Sequence, residues 1–181
     1  MTDIKLEDYF KLSESEKLAL NKQIEEFIVT QGNKGLQISL SVEARGKVEI
    51  LLNAIYDGYL AEIYALNRLQ KSNPNLNFKF IDNKAGYFQF SHKTANLPDI
   101  IDNLGTTYEV KCYKWYQNKI YISTSHSTKN KVISDFFHNA DNVIFVNKEH
   151  TDGFMLTKQE LRNKLKLLPK IYKTNSWLLE F

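Results

Sequence analysis

A mixed α/β fold is what this chain predicts: a central mixed β-sheet flanked by helices, behind an N-terminal helical element. Three observations lead there. Val48, Leu51, Leu52, Ile55, Tyr59, Leu66 and Leu69 recur at helical spacing over one long stretch. Short β-rich runs bounded by turn residues follow it, among them Phe78-Lys79-Phe80-Ile81 and Val143-Ile144-Phe145-Val146. The order is helix, several strands, helix, strand, helix, which interleaves the two periodicities within one chain. At 181 residues, 43% hydrophobic and 13% aromatic, it can build a substantial core as one domain, or as one domain with a helical appendage.

The elements follow in order. Ser13 and Ser15, with Glu16 after them, cap a helix running to about Thr30, whose apolar stripe is Leu18, Leu20, Ile24, Phe27 and Ile28. Gln31 to Gly35 breaks it. The strongest helix spans about Val42 to Lys71 and ends at Asn73-Pro74-Asn75. Phe78–Ile81 reads as a strand, and Tyr87–Ser91 as a second short strand or extended loop. Asp99 to Tyr116 forms a hairpin about Asp102-Asn103-Leu104-Gly105, and Lys119–Ser123 alternates as a further strand. Ser127 or Thr128 caps a helix to about His138. Val143–Val146 is apolar throughout, as in a strand covered on both faces. Thr157 opens a last helix to about Leu168. Residues 1–40 are expected to be an N-terminal helical arm and 41–181 the functional core.

Charge is balanced, with 24 basic and 21 acidic residues, so the total does not announce a nucleic-acid binder. Its distribution is uneven. Residues 1–26 hold seven acids against four lysines, whereas Val110–Ser134 holds Lys111, Lys114, Lys119, Lys129 and Lys131 and no acid. Gripping DNA needs local positive charge on one face, although such runs also occur as solvated faces. The single cysteine, Cys112, excludes an internal disulfide and a multi-cysteine zinc site, and beside Val110 it reads as a structural thiol. The chain begins without a basic-then-apolar leader and has no membrane-length apolar run, so a soluble, cytoplasmic protein is expected. It lacks a phosphate-cradling glycine loop, His-Glu-x-x-His, paired cysteines and Gly-x-Ser-x-Gly.

Chemistry concentrates in Pro98-Asp99-Ile100-Ile101-Asp102-Asn103-Leu104-Gly105-Thr106-Thr107-Tyr108-Glu109-Val110-Lys111. Residues two apart on a strand share a face, so Glu109 and Lys111 project together while Val110 enters the core. The hairpin folds Asp99 back beside them. Two carboxylates and an ammonium at a sheet edge suit a hard divalent cation and a phosphodiester. An ordinary surface hairpin with one ion pair uses the same residue types.

This stretch resembles the PD-(D/E)XK nuclease superfamily, and within it the PvuII-type restriction endonucleases, in the nine residues between Asp99 and Glu109, the Asp-Asn-x-Gly turn and Tyr108-Glu109-Val110-Lys111. The resemblance is firmest over residues 98–147. It includes Ser123-Thr124-Ser125-His126 and continues weakly through Leu156–Leu161. It implies a restriction-endonuclease-like core, with Asp99 and Glu109 as ligands of one or two Mg²⁺ ions and Lys111 as the catalytic lysine. The backbone carbonyl of Val110 is an expected third ligand, since magnesium takes oxygen. Glu62 lies on the apolar face of the long helix, where a carboxylate needs a partner. Superfamily members often carry such a glutamate near the metal, and pairing with a lysine or a backbone group explains it equally well.

Ser123, Thr124, Ser125, His126, Lys114, Lys129 and Lys131 are the expected DNA-contacting set, with Ser127 and Thr128 beside them. His126 suits guanine N7 or O6 in the major groove; an ordinary surface histidine is the other reading, and the hydroxyl-rich cluster around it before a helix favours DNA contact. Turn chemistry alone explains Asp102. His92, His138 and His150 are assigned no role. Two departures from the relatives bear on which DNA sequence is read: their segment is richer in histidine, and Phe136 stands where they carry a tyrosine. The whole implies a homodimeric, Mg²⁺-dependent type II restriction endonuclease. It would cut double-stranded DNA at a short palindrome, dimerise through residues 1–40 and work beside a cognate DNA methyltransferase. A structure-directed repair, recombination or phage nuclease keeps the same chemistry, and a non-catalytic DNA-binding module is the third reading.

Overall fold

The computed structural model describes residues 3–31, 48–83, 85–89, 97–169 and 175–181, with the side chains of 28–31 outside that set. The expected boundary at residues 40 and 41, the expected helix start at Val42, the Ile28 side chain and His92 all lie outside the described residues. In chain order the elements are β1 (Ile4–Lys5), α1 (Leu6–Tyr9), α2 (Glu14–Gln31), α3 (Val48–Ser72), β2 (Phe78–Phe80), β3 (Tyr87–Phe88), β4 (Ile100–Asp102), β5 (Thr107–Tyr113), β6 (Lys119–Thr124), α4 (Lys129–Lys131) with a π-helical turn (Val132–Phe136), β7 (Asn142–Asn147), β8 (Gly153–Thr157), α5 (Lys158–Lys164), β9 (Lys166–Leu167) and β10 (Asn175–Glu180). They form two compact units, Met1–Tyr59 with Lys84–Ala95, and Leu60–Asn83 with Asn96–Phe181.

In the first unit, β1 pairs antiparallel with β3, Ile4 opposite Phe88. α2 starts where a serine can cap it: the Ser13 amide donates to the Glu16 carboxylate at 2.9 Å, and the Ser13 carbonyl accepts from the Lys17 amide. Leu6, Tyr9, Ile24, Val48, Leu51, Leu52 and Phe88 make the core, with Leu20 and Phe27 packed against it. Leu18, expected in the stripe, is 73% exposed. Leu20 and Phe27 lie four before and three after Ile24, whereas Leu18 lies six before it and points elsewhere.

The second unit carries a five-stranded mixed sheet, β2-β4-β5-β7-β8, in which only β5 and β7 are parallel. One face packs Ile100, Tyr108, Val110, Ile144 and Val146 with Ala61, Ala65 and Leu69 of α3. The two alanines, unremarked in the helical pattern, let the helix approach the sheet closely. The opposite face packs Val143 and Phe145 with Phe137, Leu161, Leu165, Ile120, Ile122, Trp177 and Leu179. β7 is thus covered on both sides, as its unbroken apolar run requires.

The further strand expected at Lys119–Ser123 is β6, and it lies in a second, three-stranded sheet, β6-β10-β9. Two expectations are corrected. The helix expected to reach His138 makes one α-helical turn, capped by Thr128, and then widens into the π turn, where the Phe137 amide bonds five residues back to Val132. α5 has the expected Thr157 cap, completed by Glu160, but stops at Lys164 rather than about Leu168. There Leu165 turns extended, Lys166 and Leu167 pair with β10, and Pro169 disfavours helical geometry at Leu168.

Candidate active site

β4 and β5 are joined by the turn the sequence predicts. The Gly105 amide donates to the Asp102 carbonyl at 3.1 Å, and Gly105 adopts φ +88°, a conformation suited to glycine. The Asp102 carboxylate accepts from the amides of Leu104 (2.8 Å) and Thr106 (2.9 Å) and from the Tyr108 hydroxyl (3.1 Å). Burial pushes its carboxyl up, but these donors outweigh burial and hold it below the ordinary aspartate range. Asp102 is therefore a turn-builder.

The hairpin register returns Asp99, one residue before β4, to β5. The Asp99 amide donates to the Tyr108 carbonyl (3.0 Å), and its Oδ2 accepts from the Val110 amide at 2.7 Å. Alternation along β5 sends Tyr108, Val110 and Cys112 toward α3 and Glu109 and Lys111 to the opposite face. Glu109 is buried, and its two oxygens are divided: Oε1 pairs with the Lys111 ammonium, Oε2 with His138 Nδ1 at 3.0 Å. Phe136 sets its ring 5.0 Å from Lys111 Nζ.

Asp99, Glu109, Lys111 and Glu62 form one electrostatic group. Burial raises the Asp99 carboxyl to about 7, Glu109 adds to the rise, and Lys111 opposes it. Burial, then Asp99 and Glu109, raise Glu62 of α3 to about 9. Burial alone would lower the Lys111 ammonium, but Glu109, Asp99 and Glu62 together hold it above the ordinary lysine value. Three carboxylates thus face one ammonium and one imidazole.

The expected DNA-contacting residues lie along the same unit. Ser123 and Thr124 end β6; Ser123, Ser125 and Lys131 are exposed, and Thr124 is buried. The loop after β6 is held from β10 by Asn175, which donates to the Ser125 carbonyl, and by Trp177, which donates to the His126 carbonyl. His126 stands 3.8 Å from Asp135. The Lys129 ammonium donates to the Arg162 carbonyl at 2.9 Å, and the Lys114 ammonium lies 5.4 Å from the Tyr116 ring.

Two histidines given no role from the sequence have partners here. His138 holds Glu109, and His150 Nε2 lies 3.7 Å from Cys112 Sγ. His138 is 29 residues from Glu109, outside any strand or helix spacing. The only local signal is Phe136-Phe137-His138-Asn139 at the end of a helical pattern, where His and Asn tolerate left-handed backbone.

No helix among the described residues is long and apolar enough to cross a membrane. Among the described residues, no set of three His, Cys, Asp or Glu side chains is gathered closely enough to hold a metal ion by itself. No protein-family model matches the chain, and neither does any curated protein or solved structure.

Proposed function

We propose that this protein is a divalent-metal-dependent endonuclease of the PD-(D/E)XK type, acting on double-stranded DNA as a type II restriction enzyme. One observation carries the reading: Asp99, one residue before β4, meets Glu109 and Lys111 of β5 in a single charge cluster that Glu62 joins, with Glu109 buried and the other three half-buried. A structural ion pair needs one carboxylate per lysine. Here three carboxylates stand near one lysine, and burial first, then their mutual repulsion, lifts Asp99 to about 7 and Glu62 to about 9, the kind of perturbation that gathers at functional sites.

The donor set fits Mg²⁺. That ion takes one or two carboxylates and keeps several waters, so Asp99, Glu109 and the Val110 carbonyl suffice without a cage of three side chains. Bound there, Mg²⁺ would supply positive charge to the phosphodiester oxygens and acidify the attacking water. The chain's own residues do the rest. The Val110 amide fixes the direction of the Asp99 carboxylate. Lys111, kept charged by its neighbours, donates to a phosphate oxygen and stabilises charge developing on it. Glu62 supports the pair from α3. Ser125 and His126 lie in the loop that follows Ser123 of β6, and the chain runs on through Lys131 of α4 to Phe136 and His138, which contact Lys111 and Glu109.

The test is digestion of a long double-stranded DNA of known sequence by the full-length protein, with and without Mg²⁺, beside Asp99→Ala and Lys111→Ala. Discrete bands that require Mg²⁺ and vanish in both variants are the expected result. A smear would replace the sequence-specific target with a structural or nonspecific one. DNA binding without cleavage, with Mg²⁺ or Mn²⁺, would leave a binding module.

A further inference from the structure

The segment that closes the π turn reaches the cluster twice. Phe136 covers the Lys111 ammonium at 5.0 Å, and two residues later His138 Nδ1 meets Glu109 Oε2 at 3.0 Å. The backbone leaves regular geometry to do this. The Phe137 amide bonds to Val132 and the Asn139 amide to Ile133, and His138 (φ 49°) and Asn139 (φ 54°) are both left-handed. Non-glycine residues in that region, and π turns, gather where a site needs a side chain aimed in one direction.

Glu109 is a buried carboxylate already paired with Lys111, so it accepts and His138 donates through Nδ1. A carboxylate oxygen has two lone pairs, and one donor bond leaves the other for a cation. With Lys111 on one oxygen and His138 on the other, the Glu109 carboxylate cannot rotate.

Resting on the nuclease reading above, we infer that His138 is a positioning residue: its Nδ1–H holds Glu109 in the orientation that receives the divalent cation. Outer hydrogen-bond partners of this kind orient the ligands of many metal sites. His138 itself touches neither the metal nor the DNA.

Two substitutions separate the hydrogen bond from the backbone. His138→Gly tolerates the left-handed conformation but has no donor. His138→Asn also tolerates it, and places an amide N–H where Nδ1 stood. Full-length metal-free protein is titrated calorimetrically with Mn²⁺, which shares magnesium's preference for oxygen. His138→Gly is expected to bind about 10–100-fold more weakly than the wild type, and His138→Asn to regain most of that loss. In DNA cleavage the glycine variant loses kcat while its affinity for DNA stays unchanged. ¹⁵N spectra of the wild type should show His138 protonated at Nδ1. Equal Mn²⁺ affinity in His138→Gly and wild type, an asparagine variant no better than glycine, or a proton on Nε2 alone would overturn the inference and leave the nuclease reading standing. A wild type that takes up no Mn²⁺, or an Asp99→Ala variant that takes it up as tightly, would overturn the nuclease reading and this inference with it.

Discussion

Asp99→Asn should make the metal-free protein more stable at alkaline pH, although it removes a proposed catalytic group. The Asp99 carboxyl is raised from an ordinary 3.8 to about 7, by burial first and Glu109 second. Below pH 4 the folded and unfolded chains both hold the proton, and the full stability is present. As pH rises the unfolded chain loses its proton first, so stability falls until the folded carboxyl ionises near pH 7 and stays low above it. The distance between the two values corresponds to about 4 kcal/mol. Asparagine cannot ionise, and its carbonyl still accepts the Val110 amide bond that Asp99 Oδ2 takes at 2.7 Å. Lys111 loses one compensating neighbour, which trims the gain to about 2–4 kcal/mol at pH 8. Both tryptophans, Trp115 and Trp177, lie in the second unit, so their fluorescence in urea reports the unit that holds the site. In EDTA the variant's midpoint should rise by roughly 1–2 M at pH 8 and hardly at all at pH 4. Mg²⁺ should raise the wild type and leave the variant where it was. An asparagine variant less stable than wild type at pH 8 would refute the argument that burial and like charge burden the ionised Asp99.

Other perturbations follow from the same contacts. Lys111→Ala strips the ammonium from buried Glu109 and should cost about 3–5 kcal/mol in EDTA at pH 8, read from the same urea curves. Thr157→Ala removes the capping box of α5 and should lower stability by about 1 kcal/mol without changing cleavage. Asp102→Asn keeps an acceptor for the Leu104 and Thr106 amides; Mn²⁺ affinity by calorimetry should stay at the wild-type value, because Asp102 builds the turn and not the site. Lys131 is exposed, and Lys131→Ala should flatten the slope of log affinity for DNA against log salt by about 1, with no loss of kcat.

The strand pair was legible in the sequence because alternation has only two faces. Once Val110 is inside, Glu109 and Lys111 are opposite it, and the Asp-Asn-x-Gly turn returns Asp99 to them. The Ser13 and Thr157 caps were legible because capping is local chemistry. What escaped depends on distant partners. β10 pairs with β6 across roughly fifty to sixty residues, and nothing local to Trp177-Leu178-Leu179 announces that. α5 stops early because, one residue past it, β10 takes up Lys166 and Leu167. Leu18 was misread because it stands in the apolar run Leu18-Ala19-Leu20, yet its angle around α2 faces away from Ile24. His138 was passed over because its role requires a π turn and a left-handed residue, and neither has a sequence period.

Relaxation of a supercoiled plasmid by wild type and by Asp99→Asn, followed over a Mg²⁺ series at pH 8, asks whether the Asp99 carboxylate cuts DNA with a bound cation. Nicked and then linear DNA is expected from the wild type only when Mg²⁺ is present, and none from the more stable asparagine variant. Equal cleavage by the two proteins, or none from the wild type at any Mg²⁺ or Mn²⁺ concentration, would contradict the proposed role of Asp99.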